Sequence, residues 1–405
     1  MKCRICYSNN VPKFLSLGHH PPSDAFLKEE ELEKPEIYYP LDVYFCDNCK
    51  LVQIGYAVDP KILFNEDYAY NTSTNKALVK HFSELTEHLV NTFNLNKNDL
   101  AVDIGSNDGT LLEGFLKHNI KVLGIEPSGV AQLAFEKNIP TLKMFFDKET
   151  AEYVINNFEK PKIITATNVF AHVIDLDNFM SGIKLILSDK GVFVSESHYL
   201  LNLIQELQYD SIYHEHLRYY SLKSLIYLFN LYDMDVFDAK IVDSHGGSIR
   251  VYACNKGEFN ISDNINNILS IEEKAGLYSL NTFLDYSKKV YEWKKEIRKL
   301  LFDIKNNNNR IVCIGAPAKG NTLLNFCKID SDLIDYLAEY TKLKIGKYSP
   351  GMHIKVEDEE RMFKEQPEYS ILLSWNLKDI IVPKLRAKGY KGKIIVPIPH
   401  PVIIE

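Results

Sequence analysis

The stretch AVDIGSNDGT, residues 101–110, decides how the rest of the chain is read. An apolar run carrying Asp103 leads into a turn with Gly105 and Gly109, and an apolar helical pattern starts near Leu111. Strand, glycine turn and helix form the layout of a nucleotide-type cofactor site at the carboxyl edge of a parallel sheet. The two glycines let backbone approach a ligand closely. About twenty residues on, GIEPS (124–128) is a second apolar run ending in an acid, which places Glu126 to accept both hydroxyls of a ribose. The turn is not GxGxxG, and it lacks the Lys-Ser/Thr end of a phosphate loop. Asp103 stands where a dinucleotide fold wants a bare glycine turn beside pyrophosphate. A cofactor without phosphates and with a cationic or amino group suits that carboxylate, and S-adenosylmethionine fits. Its expected contacts are Asp103, Gly105, Asn107, Gly109, Glu126 and Pro127, with Asn168 from a later strand end. An ordinary strand–turn–helix of an α/β core carries the same pattern.

At 405 residues the chain is too long for one ordinary core, so two or three domains are expected. Hydrophobic residues at 45% and charged residues at 25% are those of a soluble globular protein. A net charge of −7 argues against nucleic acid polymers as partners. No apolar run reaches membrane-spanning length, and MKCRICYSNN has no signal-peptide core, so the expectation is a cytoplasmic protein without a membrane partner. Seven cysteines in that compartment read as thiols or metal ligands rather than disulfides. Cys3-x-x-Cys6 and Cys46-x-x-Cys49 together complete a tetrahedral zinc site. Four thiolates leave no open position, so that metal is expected to be structural. Between the pairs, His19 and His20 read as loop or site-lining residues and 38–45 as a strand.

Further along, FNEDYAYNTS (64–73) puts Tyr68 and Tyr70 on one face if extended. Residues 76–93 carry apolar side chains at helical spacing, with His81 and His88 solvated. KIITATNVFAHV (162–173) reads as a buried strand delivering Asn168 and His172, and GVFVSES (191–197) as another ending in Glu196. Strands alternating with helical segments give a doubly wound α/β domain, whose ligands bind beyond the carboxyl ends of the strands. Asp103, Glu126, Asn168, His172 and Glu196 all fall near such ends. YDSIYHEHLRYYS (209–221) crowds Tyr213, His214, Glu215 and His216 together, which suggests acid–base work. His214 and His216 share a face only in an extended segment, so at most one of them is expected to serve if a helix begins here. His245 with Gly246 and Gly247 reads either as a close approach to a ligand or as a tight loop. Residues 262–309 read as a charged helical link between domains. IVCIGAPAKGNTLL (311–324) then repeats the strand–glycine loop–helix layout, with Lys319 and Asn321 in place of an acid. A lysine at such a helix start suits an anion such as a nucleotide diphosphate. YSILLSW (369–375) and KIIVPIP (393–399) complete a second, smaller α/β domain.

Taken together these segments resemble, over nearly the whole chain, the sugar C-methyltransferases that act on nucleotide-linked 4-keto-deoxysugars. The resemblance rests on the paired CxxC motifs, VDIGSNDGTLL, NVFAH (168–172), YHEHLRYYS, GAPAKGNTLL, KYSPGMHIKV (347–356), LLSWN and the terminal IVPIP. It implies a zinc-binding domain over 1–65, a methyltransferase domain over 66–255, a helical linker over 256–309 and a Rossmann-like substrate domain over 310–405. It also implies a substrate lying between domains and carried on dTDP, GDP or CDP, with the chain a monomer or weak homodimer. By the same resemblance His172, Tyr213, Glu215 and His216 are active-site residues, joined by a tyrosine ahead of the methyltransferase domain, Tyr70 being preferred to Tyr68. Glu339-Tyr-Thr-Lys342 departs from the Asp-x-x-x-x-Lys pattern of the family and leaves nucleotide recognition open in detail. The implied chemistry is enolate formation at the carbon next to the ketone, with His216 as base, Glu215 orienting it or meeting a sugar hydroxyl, and Tyr213 and His172 at the oxyanion. Lys319, Asn321 and Glu196 are the expected substrate contacts. O- or N-methyl transfer, or a non-catalytic zinc or nucleotide-sugar scaffold, are the alternatives.

Overall fold

Apolar runs of alternating or continuous burial set three sheets. The computed structural model describes residues 1–63, 71–244 and 246–405. The first three strands are β1 (Lys13–His20), β2 (Tyr39–Phe45) and β3 (Val52–Ile54). In β2, Leu41, Val43 and Phe45 are buried while their neighbours are half-buried, the period-two pattern of a sheet with one packed face. Next come β4 (Leu100–Ile104), β5 (Lys121–Ile125), β6 (Thr141–Leu142), β7 (Ile163–Thr167) and β8 (Val192–His198). All five residues of β4 are buried, as expected of a parallel strand covered on both faces. Strand β9 (Arg218–Tyr219) leaves this region and completes the N-terminal sheet in the order β1-β2-β3-β9. Strands β10 (Met234–Val242) and β11 (Ser248–Asn255) extend the central sheet to β10-β11-β8-β7-β4-β5-β6, parallel from β8 to β6.

The third sheet holds β12 (Ile311–Ile314), β13 (Leu337–Glu339), β14 (Val356–Asp358), β15 (Tyr369–Leu372), β16 (Lys393–Val396) and β17 (Val402–Ile404). Its order is β14-β13-β12-β15-β16-β17, parallel except for the last strand. Residues 262–309 form two helices, Asp263–Lys274 and Leu280–Asn306. The second buries Phe283, Tyr286, Val290, Trp293, Ile297, Leu301 and Ile304, one apolar stripe at helical spacing. Phe283 packs on Phe14 and Phe45 of the N-terminal sheet, with ring centroids 5.1 and 4.7 Å away, while the Trp293 indole donates to the Pro397 carbonyl at 2.8 Å. The charged segment is thus a spine packed between the N-terminal sheet and the C-terminal unit.

Three local expectations change. The run read as a strand over 162–173 leaves the sheet after Thr167, because Asn168 takes a left-handed conformation (φ 58°) that asparagine tolerates. Its N–H donates to the Glu196 carbonyl at 2.7 Å, and His172 follows in a turn. His20 ends β1 buried, with Nε2 2.8 Å from the Leu17 carbonyl, rather than lining a site. His81 is not solvated, its Nε2 lying 2.8 Å from the Glu196 carboxylate, whereas His88 is exposed. Among the described residues, no helix is long and apolar enough to cross a membrane.

Candidate active site

A cavity of about 750 Å³ lies beyond the carboxyl ends of the parallel central strands, walled by residues of all three sheet regions. Asp103, Gly105, Asn107, Glu126, Pro127 and Asn168 line one end. Gly105 is left-handed (φ 68°), and a Cβ there would meet Val169 Cγ2 at 2.3 Å, so the loop must present bare backbone. Asp103 is buried and accepts from Thr165 Oγ1 at 2.6 Å; burial pushes its carboxyl up to about 7. Glu126 accepts the Asn107 N–H on Oε2 (3.0 Å) and the Ser128 N–H on Oε1 (2.9 Å). Each oxygen keeps a further lone pair for a ligand hydroxyl. Ser106 Oγ is buried with no hydrogen-bond partner among the described residues. Gly109 does not line the cavity; left-handed at φ 78°, it opens the helix Thr110–Lys117 and packs under Ile139.

His172, Tyr213, Glu215 and His216 face the middle of the cavity together. The His172 and His216 rings stand edge to face at 5.0 Å, and the Tyr213 ring lies 4.1 Å from His216. His216 Nδ1 is 3.0 Å from the Ser211 carbonyl. A carbonyl only accepts, so Nδ1 carries the proton and Nε2 is the basic nitrogen of the neutral ring. Burial holds His172 well below the usual imidazole range, with His216 adding to the effect. Glu215 is pushed up to about 8 by burial and then by the charge of Asp24, against the opposing pull of Lys344. His214 points away, buried against the edge of Tyr39 at 5.8 Å. Tyr68, Tyr70 and His245 lie outside the described residues.

At the third wall, Lys319 is held by Asn376 and sits 4.3 Å over the Trp375 ring; burial lowers its ammonium to about 8, with Asp210 opposing. Asn321 does not reach the cavity: its Nδ2 donates to the Ser23 carbonyl at 2.7 Å and clips the N-terminal loop to the helix Ala318–Cys327. Glu196 is likewise corrected. Its carboxylate is fully buried beneath the wall, 2.8 Å from Arg250 Nη2 and 2.8 Å from His81 Nε2, and it accepts from Ser244 at 2.7 Å. Despite burial, these partners hold it down at about 2. The expectation of a solvated His81 fails here, since that ring lines the cavity against Glu196. Asp24 and Lys344, paired at 3.0 Å, also line the cavity and carry no local sequence signal, and Arg218 of the 209–221 segment lines it as well.

The Sγ atoms of Cys3, Cys6, Cys46 and Cys49 lie within 4.8 Å of one another. The pairs Cys3–Cys49 and Cys6–Cys46 are each 3.4 Å apart. A tetrahedral ion with bonds of about 2.3 Å has edges of about 3.8 Å, so the four thiols fit one zinc with no position left open.

Residues 3–64 match the family model described as "Putative zinc binding domain", 78–238 that described as "Methyltransferase domain", and 243–399 that described as "C-methyltransferase C-terminal domain". The chain is 30% identical over 407 residues to the C-methyltransferase NovU of Streptomyces niveus, a match covering 100% of this chain and 97% of that one. The chain belongs to the family of S-adenosylmethionine-dependent C-methyltransferases. Among solved structures, this C-methyltransferase is similar to magnesium protoporphyrin IX methyltransferase (ChlM) of Synechocystis PCC 6803 with bound SAH, at 12% identity and a TM-score of 0.36 over 47% of this chain and 91% of that one. It is also similar to a S-adenosylmethionine-dependent methyltransferase of Clostridium acetobutylicum ATCC 824, at 16% identity and a TM-score of 0.35 over 44% and 92%. As a C-methyltransferase it uses S-adenosylmethionine, and its N-terminal unit is a zinc-binding one with a four-cysteine cluster.

Two expectations follow for the C-methyltransferase. Cys46→Ser removes one of four thiolates from a closed site whose metal contributes folding energy. Metal analysis should find zinc below one per chain, and proteolysis should cut the N-terminal unit first; a variant with full zinc and unchanged protection would contradict the site. The second concerns pH. Glu215 (about 8), Asp103 (about 7) and Asp210 (about 6) bind protons more tightly folded than unfolded. Their stability is fully present below the ordinary carboxylate range and is lost as pH climbs through each folded value. His172, His20 and His214, all held neutral by burial, lose stability as pH falls below the ordinary imidazole value. Stability should therefore peak near pH 6.5 and fall by pH 8.5, and Glu215→Gln should remove roughly 2 kcal/mol of that fall in denaturant titrations.

Proposed function

We propose that this enzyme methylates C3 of a nucleotide-linked 4-keto-deoxysugar in the cytoplasm, through an enolate raised by His216. The observation that carries the reading is the bond from His216 Nδ1 to the Ser211 carbonyl, which leaves Nε2 as a base inside a cavity shared with the cofactor cradle. A sugar C–H is not a nucleophile, but a ketone at C4 acidifies the hydrogen at C3. His216 Nε2 takes that proton, and the electron pair of the broken C–H bond becomes the enolate. Tyr213 donates to the developing oxyanion, and His172, kept uncharged by its burial, is its second hydrogen-bond partner. Glu215, protonated at neutral pH, is a donor to the enolate oxygen or a sugar hydroxyl. Bound in the cradle, S-adenosylmethionine would supply an electrophilic methyl group to the enolate carbon, the electron pair of the S–CH3 bond staying on sulfur as a neutral thioether.

Asp103, Asn107, Glu126, Pro127 and Asn168 hold the cofactor, with Gly105 giving its close approach and Gly109 opening the helix behind. Lys319 meets the diphosphate of a dTDP, GDP or CDP carrier at the start of its helix. Tyr70 belongs to the same reading, on the resemblance alone.

Glu126→Ala should weaken S-adenosylmethionine by about 1.5–3 kcal/mol, the loss of hydrogen bonds to a charged group; calorimetry showing equal affinity would remove Glu126 from the cofactor site. The base is tested by His216→Asn against His172→Asn, using a panel of 4-keto nucleotide sugars and labelled methyl donor. The first variant should lose both methyl transfer, by ~10²–10⁴-fold, and deuterium wash-in at C3; the second should keep measurable wash-in. Wash-in that survives in the His216 variant and vanishes in the His172 variant reverses the assignment. The labelled methyl attached to oxygen or nitrogen in the product would refute carbon as the acceptor.

A further inference from the structure

Strand β9 ties the four-cysteine unit to the two histidines. The Cys46–Cys49 knuckle closes through the Cys46 N–H on the Leu51 carbonyl (2.8 Å) and runs directly into β3. The other knuckle grips β3 as well. Arg4, between Cys3 and Cys6, donates its N–H to Gln53 Oε1 (2.9 Å) and its Nη2 to the Gly55 carbonyl (3.2 Å). Strand β3 pairs with β9, Val52 opposite Tyr219 and Gln53 opposite Arg218, and the Ile54 N–H reaches the Leu217 carbonyl at 3.1 Å. The Leu217 N–H in turn donates to the Ala171 carbonyl at 2.9 Å. His216 precedes Leu217 and His172 follows Ala171, so this one backbone bond separates the two rings. Arg218, 2% exposed, closes the bracket: its guanidinium donates through Nη1 to the Val173 carbonyl and through Nη2 to the Ile174 carbonyl at 3.2 Å.

We propose that Arg218 is a positioning residue that transmits the order of the zinc-binding unit to the His172–His216 pair. Metal holds the two knuckles together, the knuckles hold β3, β3 sets the register of β9, and the Arg218 fork fixes the loop bearing His172 at the distance that β9 dictates. A two-residue strand cannot keep its register alone. Loss of either end, the metal or the fork, lets the rings drift apart while the central sheet and the cofactor cradle stand.

The experiment uses the full chain with ¹⁵N-labelled histidine, the ring signals of His172 and His216 being assigned from their Asn variants. In zinc-loaded Arg218→Met both ring signals should move, while those of the exposed His88 and His400 stay. Zinc content and S-adenosylmethionine affinity should remain, and Arg218→Lys, which still donates to one carbonyl, should lie between. Chelating zinc from the unaltered chain should shift the same two signals. In turnover, kcat should fall roughly 10–100-fold with KM for S-adenosylmethionine held. Unmoved ring signals in zinc-loaded Arg218→Met, or in Arg218→Lys if the methionine variant does not fold, overturn the proposal. Only the turnover arm rests on His216 as base: moved signals with unchanged kcat would sink that reading and leave the coupling intact.

Discussion

The pairing of β3 with β9 is the constraint on which the cavity depends. By chain position β9 belongs to the methyltransferase region, yet it hydrogen-bonds into the N-terminal sheet. Two residues of ladder are weak by themselves. They persist because Tyr219 and Arg218 are buried and because the Leu217 N–H and Ile54 N–H each have one carbonyl to satisfy. The same crossing brings Glu215 and His216 against the ends of β4 and β7. Asn321 and Lys344 then fasten the N-terminal loop at Ser23 and Asp24 onto the C-terminal unit, closing the third wall.

Electrostatics in that enclosure sort the charges. Burial alone disfavours any ionised form, so carboxyls rise and imidazoles fall. Asp103, Asp210 and Glu215 follow the rule, as does His172. Glu196 is the exception because Arg250, His81 and Ser244 surround it at hydrogen-bond distance. Glu196 is thereby locked ionised into the wall, while His172 and Glu215 in the middle of the cavity are held neutral. A site for enolate chemistry gains from this: a neutral acid donates to an oxyanion without holding a competing negative charge beside it.

Much of this was legible where function and local pattern coincide. The residues around 101–110 announced themselves because a strand buried on both faces is a continuous apolar run and because left-handed positions ask for glycine, as at 105 and 109. The two CxxC pairs needed only spacing. The tyrosine- and histidine-rich segment at 209–221 showed crowded titratable groups, but not that Tyr213, Glu215 and His216 share one cavity while His214 turns into the interior. What stayed hidden depends on partners far away in the chain. His81 meets a carboxylate 115 positions on, and Asp24 meets Lys344 across 320. Glu196 misled because a strand-end acid looks the same whether it faces a ligand or a buried arginine. The helix over 280–306 read as a link because its stripe of apolar residues is diluted by lysines that face solvent.

The two glycine loops share one backbone device. Gly105 and Gly315 are both left-handed, and the N–H of each donates to a carbonyl of the neighbouring parallel strand, Ile125 at 2.7 Å and Ala338 at 2.8 Å. In both cradles an acid from that neighbouring strand end then accepts a loop N–H: Glu126 from Asn107 at 3.0 Å, Glu339 from Ala316 at 2.8 Å. The loops diverge only in what stands beside them. The first has Asp103 at the end of its own strand, which suits a cofactor bearing a sulfonium and an amino group. The second has no acid there and carries Lys319 on the first turn of its helix, where the helix N-terminus already favours an anion. On the proposed reading the charge at that one position separates the methyl donor from the nucleotide, and the substrate sugar is left to span the space between them, where His216 waits.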